Sequence, residues 1–243
     1  MTTSPLSTHA PRAVVLLPTY NERENLPRIV PAILEAAPVD VWILDDNSPD
    51  GTGAIAAELA AANPRVRVAH RPAREGLGRA YLDGFRRALD AGYERILEMD
   101  ADFSHPPRYL PEMLRLADSY DLVLGSRWVR GGGVVNWPWR RRLLSRGGSL
   151  YARLMLGVGI RDLTGGFKCF RREVLSALDL DAVRTTGYAF QIEMTYRALR
   201  KGFRVVETPI TFVEREQGVS KMSGRIVREA ILRVPLLRFG VPR

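Results

Sequence analysis

The first half of the chain alternates short apolar runs with segments of helical periodicity, and this alternation limits the fold more than any other feature. The apolar runs cover residues 13–18, 39–44, 65–69, 94–99 and 121–125, and helical patterns lie between them at 23–36, 53–62, 77–91 and 107–117. Parallel strands need a crossover connection, which is usually a helix. The sequence therefore predicts an α/β fold in which helices flank a mostly parallel sheet.

Nothing along the 243 residues marks a domain boundary, and we expect a single folded domain over residues 13–223. The polar, proline-containing residues 1–12 predict a disordered tail, and residues 224–243 predict an amphipathic basic helix or tail. No run approaches the roughly 18 apolar residues of a membrane span, and the first residues lack the apolar core of a signal peptide. The lone cysteine, Cys169, excludes an internal disulfide and fits the cytosol.

The formal net charge of +9 predicts an anionic partner, and the positive charge is concentrated in one region. Residues 122–161 contain no Asp or Glu, whereas they contain Arg127, Arg130, Arg140, Arg141, Arg142, Arg146, Arg153 and Arg161. Two helical apolar stripes bordered by arginines, at 142–155 and 226–234, are either ordinary helices packed on the sheet or a basic surface on a bilayer. The Trp and Arg residues at 136–142 favour membrane contact. Nucleic acid is disfavoured as a partner because no RRM, zinc or helix-turn-helix signature is present.

Polar segments follow three of the predicted strands. They read PTYNE at 18–22, DDNSPDGT at 45–52 and DADFSHPP at 100–107. Ligands of open parallel sheets bind beyond the carboxyl ends of the strands, so these segments predict a shared site. No G-x-G-x-x-G follows the first strand and no G-x-x-x-x-G-K-[ST] occurs, which disfavours a dinucleotide dehydrogenase and a P-loop NTPase.

Asp100 and Asp102 are separated by one residue after the fourth apolar run. Alternate side chains of an extended segment point the same way, so the two carboxylates would converge. Like charges held close need a compensating cation, and Mg²⁺ or Mn²⁺ binds one or two carboxylates together with substrate phosphates. The alternative is a polar loop in which Asp102 caps a helix that starts near Pro106. The pair alone leaves both interpretations open.

Further motifs are GSRW at 125–128, NWPWRR at 136–141, DLTGGFK at 162–168, GYAFQIEM at 187–194 and REQGVSKMS at 215–223. The ordered set, from about Ala13 to Ser223, resembles the polyprenol-phosphate mannosyltransferases, which are dolichol-phosphate-mannose synthase relatives within glycosyltransferase family 2. The resemblance implies a GT-A fold with a mixed sheet, and residues 13–223 as the catalytic domain. It also implies metal-dependent, inverting transfer of mannose from GDP-mannose to a polyprenyl phosphate, with Mg²⁺ or Mn²⁺ as cofactor.

The resemblance also assigns roles to residues at the matching positions. It implies that Pro18, Tyr20, Glu22, Asp45 and Asp46 hold the nucleoside, that Asp100, Ala101 and Asp102 meet the diphosphate and metal, and that Gly187, Tyr188 and Gln191 line the sugar side. Arg127 and Arg141 would bind the acceptor phosphate, and Arg215 and Lys221 would close over the phosphates. Asp100, Asp102 and Arg127 would be catalytic. Ser104 stands where some relatives have a metal-reaching Gln, and its hydroxyl is a shorter and weaker ligand.

The chemistry of the implied acceptor agrees with the charge distribution. A phosphate monoester is largely dianionic at neutral pH, so it needs cations beside it but no general base. Guanidinium groups match phosphate oxygens well. A related enzyme that transfers a UDP-sugar such as UDP-glucose remains the alternative. The C-terminal membrane helices of some members are not seen, which implies peripheral attachment to the cytoplasmic face of the membrane or a separate anchoring protein.

Overall fold

The computed structural model describes residues 12–185, 187–214 and 224–240, and of residues 224–231 it describes the backbone only. Residues 1–11 of the predicted tail lie outside the described residues, and so do Arg215 and Lys221. Within the described part, no helix is both long enough and apolar enough to cross a bilayer.

Strands and helices alternate in the order that the apolar runs predict. The strands are β1 Ala13–Thr19, β2 Asp40–Asp45, β3 Val66–His70, β4 Arg95–Glu98, β5 Leu122–Ser126, β6 Gly133–Val135, β7 Lys168–Arg171, β8 Val205–Pro209 and β9 Thr211–Val213. The helices are α1 Leu26–Ala36, α2 Thr52–Ala62, α3 Leu77–Asp90, α4 Leu110–Leu116, α5 Trp139–Leu156, α6 Arg172–Ala177, α7 Gly187–Arg200 and α8 Gly224–Gly240, with short 3-10 turns at Pro107–Tyr109 and Leu180–Ala182.

The main sheet has seven strands in the order β3-β2-β1-β4-β7-β5-β8. Strand β7 runs antiparallel to both of its neighbours, β4 and β5, and the other pairs in this sheet are parallel. A second, two-stranded sheet joins β6 to β9. The prediction of an α/β fold with a mixed, mostly parallel sheet is confirmed.

Both faces of the main sheet are covered, and β1 shows how. Val14 and Leu16 face one apolar cluster together with side chains of α3 and α7, whereas Val15 and Leu17 face the other cluster together with α1. All four are fully buried. Because strand side chains alternate between the two faces, a strand buried on both sides must be apolar at every position. This is why β1 and β5 appear in the sequence as continuous apolar runs, whereas β3, at the edge of the sheet, exposes Arg67 and His70.

Gly132 lies where the chain passes close to its own backbone, at the entrance to β6. A Cβ atom at this position would lie 2.5 Å from the Ser126 carbonyl oxygen, whereas a Cβ atom on Gly133 would meet nothing within 4 Å. We expect Gly132→Ala to lower the free energy of unfolding by about 2–3 kcal/mol, because backbone atoms must move. Gly133→Ala should change it by less than about 1 kcal/mol. Urea denaturation of both variants measures this, and equal losses would contradict the prediction.

Candidate active site

The three polar segments meet at one edge of the main sheet. Strands β2, β1 and β4 are parallel neighbours, so their carboxyl ends lie side by side. Thr19 at the end of β1 is paired in register with Asp45 at the end of β2. The N–H of Met99, just past β4, donates to the carbonyl oxygen of Leu16. The predicted shared site is therefore assembled by the sheet itself.

Asp45 is held by hydrogen bonds at the end of β2. Its Oδ1 accepts from Ser48 Oγ at 2.6 Å and from Thr19 Oγ1 at 3.3 Å, and the residue is buried. A Cβ atom on Gly53 would lie 2.9 Å from Asp45 Oδ2, so the first turn of α2 approaches this carboxylate only because Gly53 lacks a side chain. Asp45 therefore holds the second polar segment in place.

Asp46 is paired with Arg71, a residue that the sequence analysis did not single out. The Arg71 guanidinium contacts the Asp46 carboxylate and also donates to Glu75 at 2.7 Å. Both Asp46 and Arg71 are buried. A buried arginine between two acids is costly unless both contacts are kept, so Arg71 fixes the position of Asp46.

The PTYNE segment is fixed to the start of α2 by local hydrogen bonds. The Glu22 N–H donates to Thr52 Oγ1 at 2.9 Å, and Glu22 Oε2 accepts from Asn25 at 2.8 Å. The Arg74 guanidinium lies 4.1 Å from the centre of the Tyr20 ring, and Pro18 is half-buried in β1. All five residues predicted to hold the nucleoside therefore lie on the first two polar segments, next to one another along the edge.

The Asp100–Asp102 segment is a loop rather than an extended continuation of β4. The strand ends at Glu98, and Phe103 has a positive φ of 60°. Asp102 Oδ1 accepts from the Ser104 N–H at 3.1 Å inside this loop. Of the alternative, a polar loop in which Asp102 caps a helix near Pro106, the structure shows the loop, whereas the cap is wrong, since the 3-10 turn that starts there has no side-chain cap. The loop, not strand alternation, sets the positions of the two carboxylates.

The loop offers oxygen ligands of the kind that a hard divalent cation prefers. Asp102 is only 7% exposed, and Ser104 is buried with an Oγ atom that has no hydrogen-bond partner. Within the described residues, no group of three or more His, Cys, Asp or Glu side chains is placed to hold a metal alone. Mg²⁺ is usually bound by one or two carboxylates together with waters and substrate phosphates. The residues present fit such a site.

His105 closes the loop from inside. It is buried, its ring stacks on Phe167 with centroids 5.0 Å apart, and Phe212 meets it edge-on at 5.3 Å. Its Nδ1 accepts from the Asp100 N–H at 3.1 Å, which places the proton of the neutral ring on Nε2. Burial lowers the pKa of His105 to about 4. The neutral ring therefore acts as the acceptor that holds Asp100 in place.

The low pKa of His105 gives a testable dependence of stability on pH. Because the unfolded chain takes up a proton near the ordinary pKa of 6.5 and the folded chain only near 4, this residue costs stability as the pH falls through that range. The difference corresponds to about 3 kcal/mol. His105→Asn keeps an acceptor for Asp100 but does not titrate. Urea denaturation without metal measures the free energy of unfolding at each pH. Between pH 6.5 and pH 4 the wild type should lose about 3 kcal/mol more of this free energy than the variant, and equal losses would contradict the prediction.

Arg127 forms the most extensive buried ion pair of the region. Its Nε and Nη2 each donate at 2.7 Å to Asp162, and Nη2 also donates to Thr164 at 2.9 Å. Burial would raise the pKa of Asp162, but the Arg127 guanidinium holds it below the ordinary value. Ser149 of α5 lies at hydrogen-bond distance from Thr164, which joins α5 to this pair.

Arg141, at the start of α5, also has an acidic partner. Its Nη1 contacts Glu214 just after β9, and its guanidinium lies 4.2 Å from the centre of the Trp137 ring. Its Nε is buried without a hydrogen-bond partner. Neither Asp162 nor Glu214 was predicted as a site residue. The acids are distant in sequence from the arginines, by 35 and 73 residues, so no local pattern could have shown these pairs.

The residues expected on the sugar side lie at the start of α7. Gly187 has a positive φ of 53° and begins the helix, and Tyr188 is partly buried beside it. Gln191 is buried, and neither polar atom of its side chain has a hydrogen-bond partner. Ala101 is buried in the loop at 100–104.

Two charged groups are buried beneath the loop at 100–104. Glu98 at the end of β4 is paired in register with Lys168 of β7, and both are fully enclosed. Burial raises the pKa of Glu98 to about 7 and lowers that of Lys168 to about 8. The Lys168 ammonium donates to the main-chain oxygen of Gln191 at 2.6 Å. Glu98 is in phase with Asp100 in the sequence, but nothing local indicated Lys168.

The chain belongs to glycosyltransferase family 2. The model of that family, described as Glycosyl transferase family 2, matches residues 14–179. The chain is 56% identical over 226 residues to a polyprenol monophosphomannose synthase of Mycolicibacterium smegmatis, covering 92% of this chain and 85% of that protein. It is 51% identical over 224 residues to an undecaprenyl-phosphate mannosyltransferase of Micrococcus luteus, covering 92% of each. The resemblance seen in the motifs is confirmed, and the protein is a glycosyltransferase.

Solved structures show the same fold at low sequence identity. Glucosyl-3-phosphoglycerate synthase from Mycobacterium tuberculosis, in complex with phosphoglyceric acid, superposes with a TM-score of 0.67 at 20% identity, covering 96% of this chain and 81% of that chain. A mannosyltransferase from Pyrobaculum calidifontis, in complex with GDP-Man and Mn²⁺, superposes with a TM-score of 0.57 at 19% identity, covering 95% and 73%. The predicted GT-A fold is confirmed.

Proposed function

We propose that the protein transfers mannose from GDP-mannose to a polyprenyl phosphate, with inversion at the sugar and with Mg²⁺ or Mn²⁺ bound. The observation that supports the proposal is that the loop at 100–104 and Arg127 lie close together around one aromatic side chain. The Phe212 ring lies 5.3 Å from the His105 ring at the end of that loop and 5.6 Å from the Arg127 guanidinium, so it lies between them. The curated relatives, named as polyprenol or undecaprenyl phosphate mannose enzymes, support the choice of substrates.

In the proposed reaction the chain's own residues bind and orient the two substrates. Asp102, Asp100 and the Ser104 hydroxyl would hold the cation, which as a Lewis acid stabilises the leaving diphosphate. Ala101 lies between the two acids. Asp45 and Asp46, with Pro18, Tyr20 and Glu22, would receive the nucleoside on the β1–β2 side of the edge. Gly187, Tyr188 and Gln191 would lie along the sugar.

The acceptor phosphate would bind at Arg127 and Arg141. A dianionic phosphate attacks without losing a proton, so the site needs positive charge rather than a base. Trp137, stacked beneath Arg141, fixes the direction of that guanidinium. Arg215 and Lys221 are proposed to complete the cover over the phosphates, and they lie outside the described residues.

The acceptor's polyprenyl chain must stay in lipid, and one surface of the protein suits attachment to the cytoplasmic face of a membrane. Helix α5 exposes Trp139, Leu143, Leu150 and Leu154 along one face, and α8 exposes Leu232, Leu236 and Phe239. Arg238 of α8 donates to the Met155 carbonyl oxygen, which joins the two helices. Exposed apolar side chains bordered by arginines bind anionic bilayers. We propose direct peripheral attachment through this α5–α8 surface rather than through a separate anchoring protein.

Vesicle flotation tests the α5–α8 surface. The protein should float with vesicles that contain anionic lipid and should bind neutral vesicles more weakly. Leu143→Gln should reduce the bound fraction several-fold, because about 1.5–3 kcal/mol of apolar burial is lost. Leu77→Gln, at an exposed leucine of α3, is the matched control. If Leu77→Gln and Leu143→Gln bind the vesicles alike, direct attachment is wrong. It is also wrong if the protein binds vesicles only after a membrane protein has been incorporated into them.

The deciding experiment for the reaction uses the purified protein, a short polyprenyl phosphate, Mg²⁺ or Mn²⁺ and either GDP-mannose or UDP-glucose. Mass spectrometry should detect mannosyl-phosphoryl-polyprenol from GDP-mannose, and only with the cation present. If product forms only from UDP-glucose, the proposed type of reaction is supported, but the proposed donor is wrong. Lack of product from both donors, with folded protein, would contradict the proposed function.

A further inference from the structure

The connection between β3 and α3 lies at the same edge of the sheet as the polar segments that follow β1 and β2. The Arg71 N–H donates to the main-chain oxygen of Asp45 at 2.8 Å, and the Asn47 side-chain amide donates to the Pro72 carbonyl oxygen at 3.3 Å. The ion pair between Arg71 and Asp46 adds a third contact. Three consecutive residues after β2 therefore hold the start of this connection in place.

The connection carries two arginines with different surroundings. Arg71 is buried and bonded to both Asp46 and Glu75, so its guanidinium is already occupied. Arg74 is exposed, and within the described part of the chain its guanidinium makes no hydrogen bond or ion pair. Glu75, the acid next to it in the sequence, is taken by Arg71. The N–H groups of Arg74 are therefore left to donate to a ligand.

The Tyr20 ring holds the Arg74 guanidinium at this edge. The two groups lie 4.1 Å apart, measured from the guanidinium carbon to the ring centre. A guanidinium is attracted to the face of an aromatic ring, and its rigid fork loses little freedom when it binds a ligand. Tyr20 is half-buried and comes directly after β1, next to the proposed nucleoside residues. A hydrogen-bond donor is thus placed in advance beside the proposed nucleoside site.

The bases of the two candidate donors differ in the acceptors that they offer to a guanidinium. Guanine has two adjacent acceptors, O6 and N7, and arginine binds this pair with two hydrogen bonds. Uracil, which differs from thymine by a methyl group, offers only O4 at the corresponding edge. An arginine at this position therefore favours guanine over uracil.

We propose that Arg74 recognises the base of the sugar donor by donating hydrogen bonds to O6 and N7 of guanine. The inference rests on the proposed function, since it assumes that a nucleotide sugar binds beside Tyr20. Arg74 would then be a specificity-determining residue that selects GDP-mannose over a UDP-sugar. Arg71 would act only by holding the connection on the segment that follows β2.

Calorimetry of GDP and UDP binding, without acceptor and with Mg²⁺ present, tests the inference. Arg74→Met keeps the apolar stem without the donors, and Arg74→Lys keeps the charge without the fork. Both variants should bind GDP about tenfold more weakly than the wild type, while their affinity for UDP changes by less than about twofold. Arg67→Met is the matched control, because Arg67 is also exposed and lies over an aromatic ring, that of Trp42, but in the middle of β3. It should bind both nucleotides like the wild type.

The analogue 7-deaza-GDP, in which a C–H group replaces N7, separates contact with the base from a general effect of charge. The wild type should bind it several-fold more weakly than GDP, whereas Arg74→Met should bind the two alike. Equal weakening of GDP and UDP in Arg74→Met, or full GDP affinity in Arg74→Lys, would overturn the inference and leave GDP-mannose as the proposed donor. So would a wild type that binds 7-deaza-GDP as tightly as GDP. A wild type that binds UDP more tightly than GDP would contradict the proposed donor itself, and the inference with it.

Discussion

Asp102→Asn should lower the rate of sugar transfer by about a thousandfold while the protein stays folded. The substitution removes the negative charge that we propose binds the cation on the donor diphosphate, and a loss of about 4 kcal/mol in transition-state stabilisation corresponds to three orders of magnitude. The asparagine retains an oxygen that can accept from the Ser104 N–H, so the loop conformation should be kept. Product formation by mass spectrometry and circular dichroism of the variant measure both parts of the prediction.

Two controls make this result specific to the loop at 100–104, which we propose binds the cation. Asp118→Asn removes a carboxylate that is 65% exposed and paired with Arg95 at 3.5 Å, and it should leave the transfer rate within about twofold of the wild type. Chelation of the cation should inactivate the wild type and cause little further loss in Asp102→Asn. If the variant retained more than about a tenth of the wild-type rate, Asp102 would not be a ligand of the proposed cation.

Asp162→Asn should lower the free energy of unfolding by about 3–5 kcal/mol. The substitution leaves the Arg127 guanidinium buried without its counter-charge. Removing one member of a buried ion pair costs far more stability than the intact pair contributes, because the remaining charge is uncompensated. Asp162 also accepts from the Arg127 main-chain N–H at 2.9 Å, and the asparagine weakens this bond as well. Urea denaturation at neutral pH measures the loss.

The double variant Arg127→Met/Asp162→Leu is the matched control for the buried pair. Because both charges are removed, we expect it to be more stable than Asp162→Asn, although it should no longer transfer sugar if Arg127 binds the acceptor. A stable Asp162→Asn protein, within about 1 kcal/mol of the wild type, would show that solvent or another group compensates Arg127.

The apolar runs of the first half were enough to predict β1 to β5 and the helices between them. The strands inside the sheet are largely buried on both faces, and the edge strand β3 still buries Val66 and Ala69, so the local apolar pattern follows burial. The same runs showed where the strands end, and hence the edge at which Asp45 and Asp100 lie. Strand β7 could not be predicted in this way. It is four residues long and is inserted between β4 and β5 from distant sequence, so its register against Glu98 exists only in the folded sheet.

The amino-acid pattern was sufficient to predict the fold class, the edge of the sheet at which the polar segments lie, and residue types that suit a cation and phosphates. Which charges are paired is seen only in the folded chain: Arg127 with Asp162, Arg141 with Glu214, and Asp46 with Arg71. The contact of the Lys168 ammonium, opposite Glu98 in the sheet, with the main-chain oxygen of Gln191 is likewise seen only there. The difference is one of distance along the chain. Apolar patterns and turn residues can be read from near neighbours along the chain. The partner of a buried charge depends on the packing of elements that are distant in sequence.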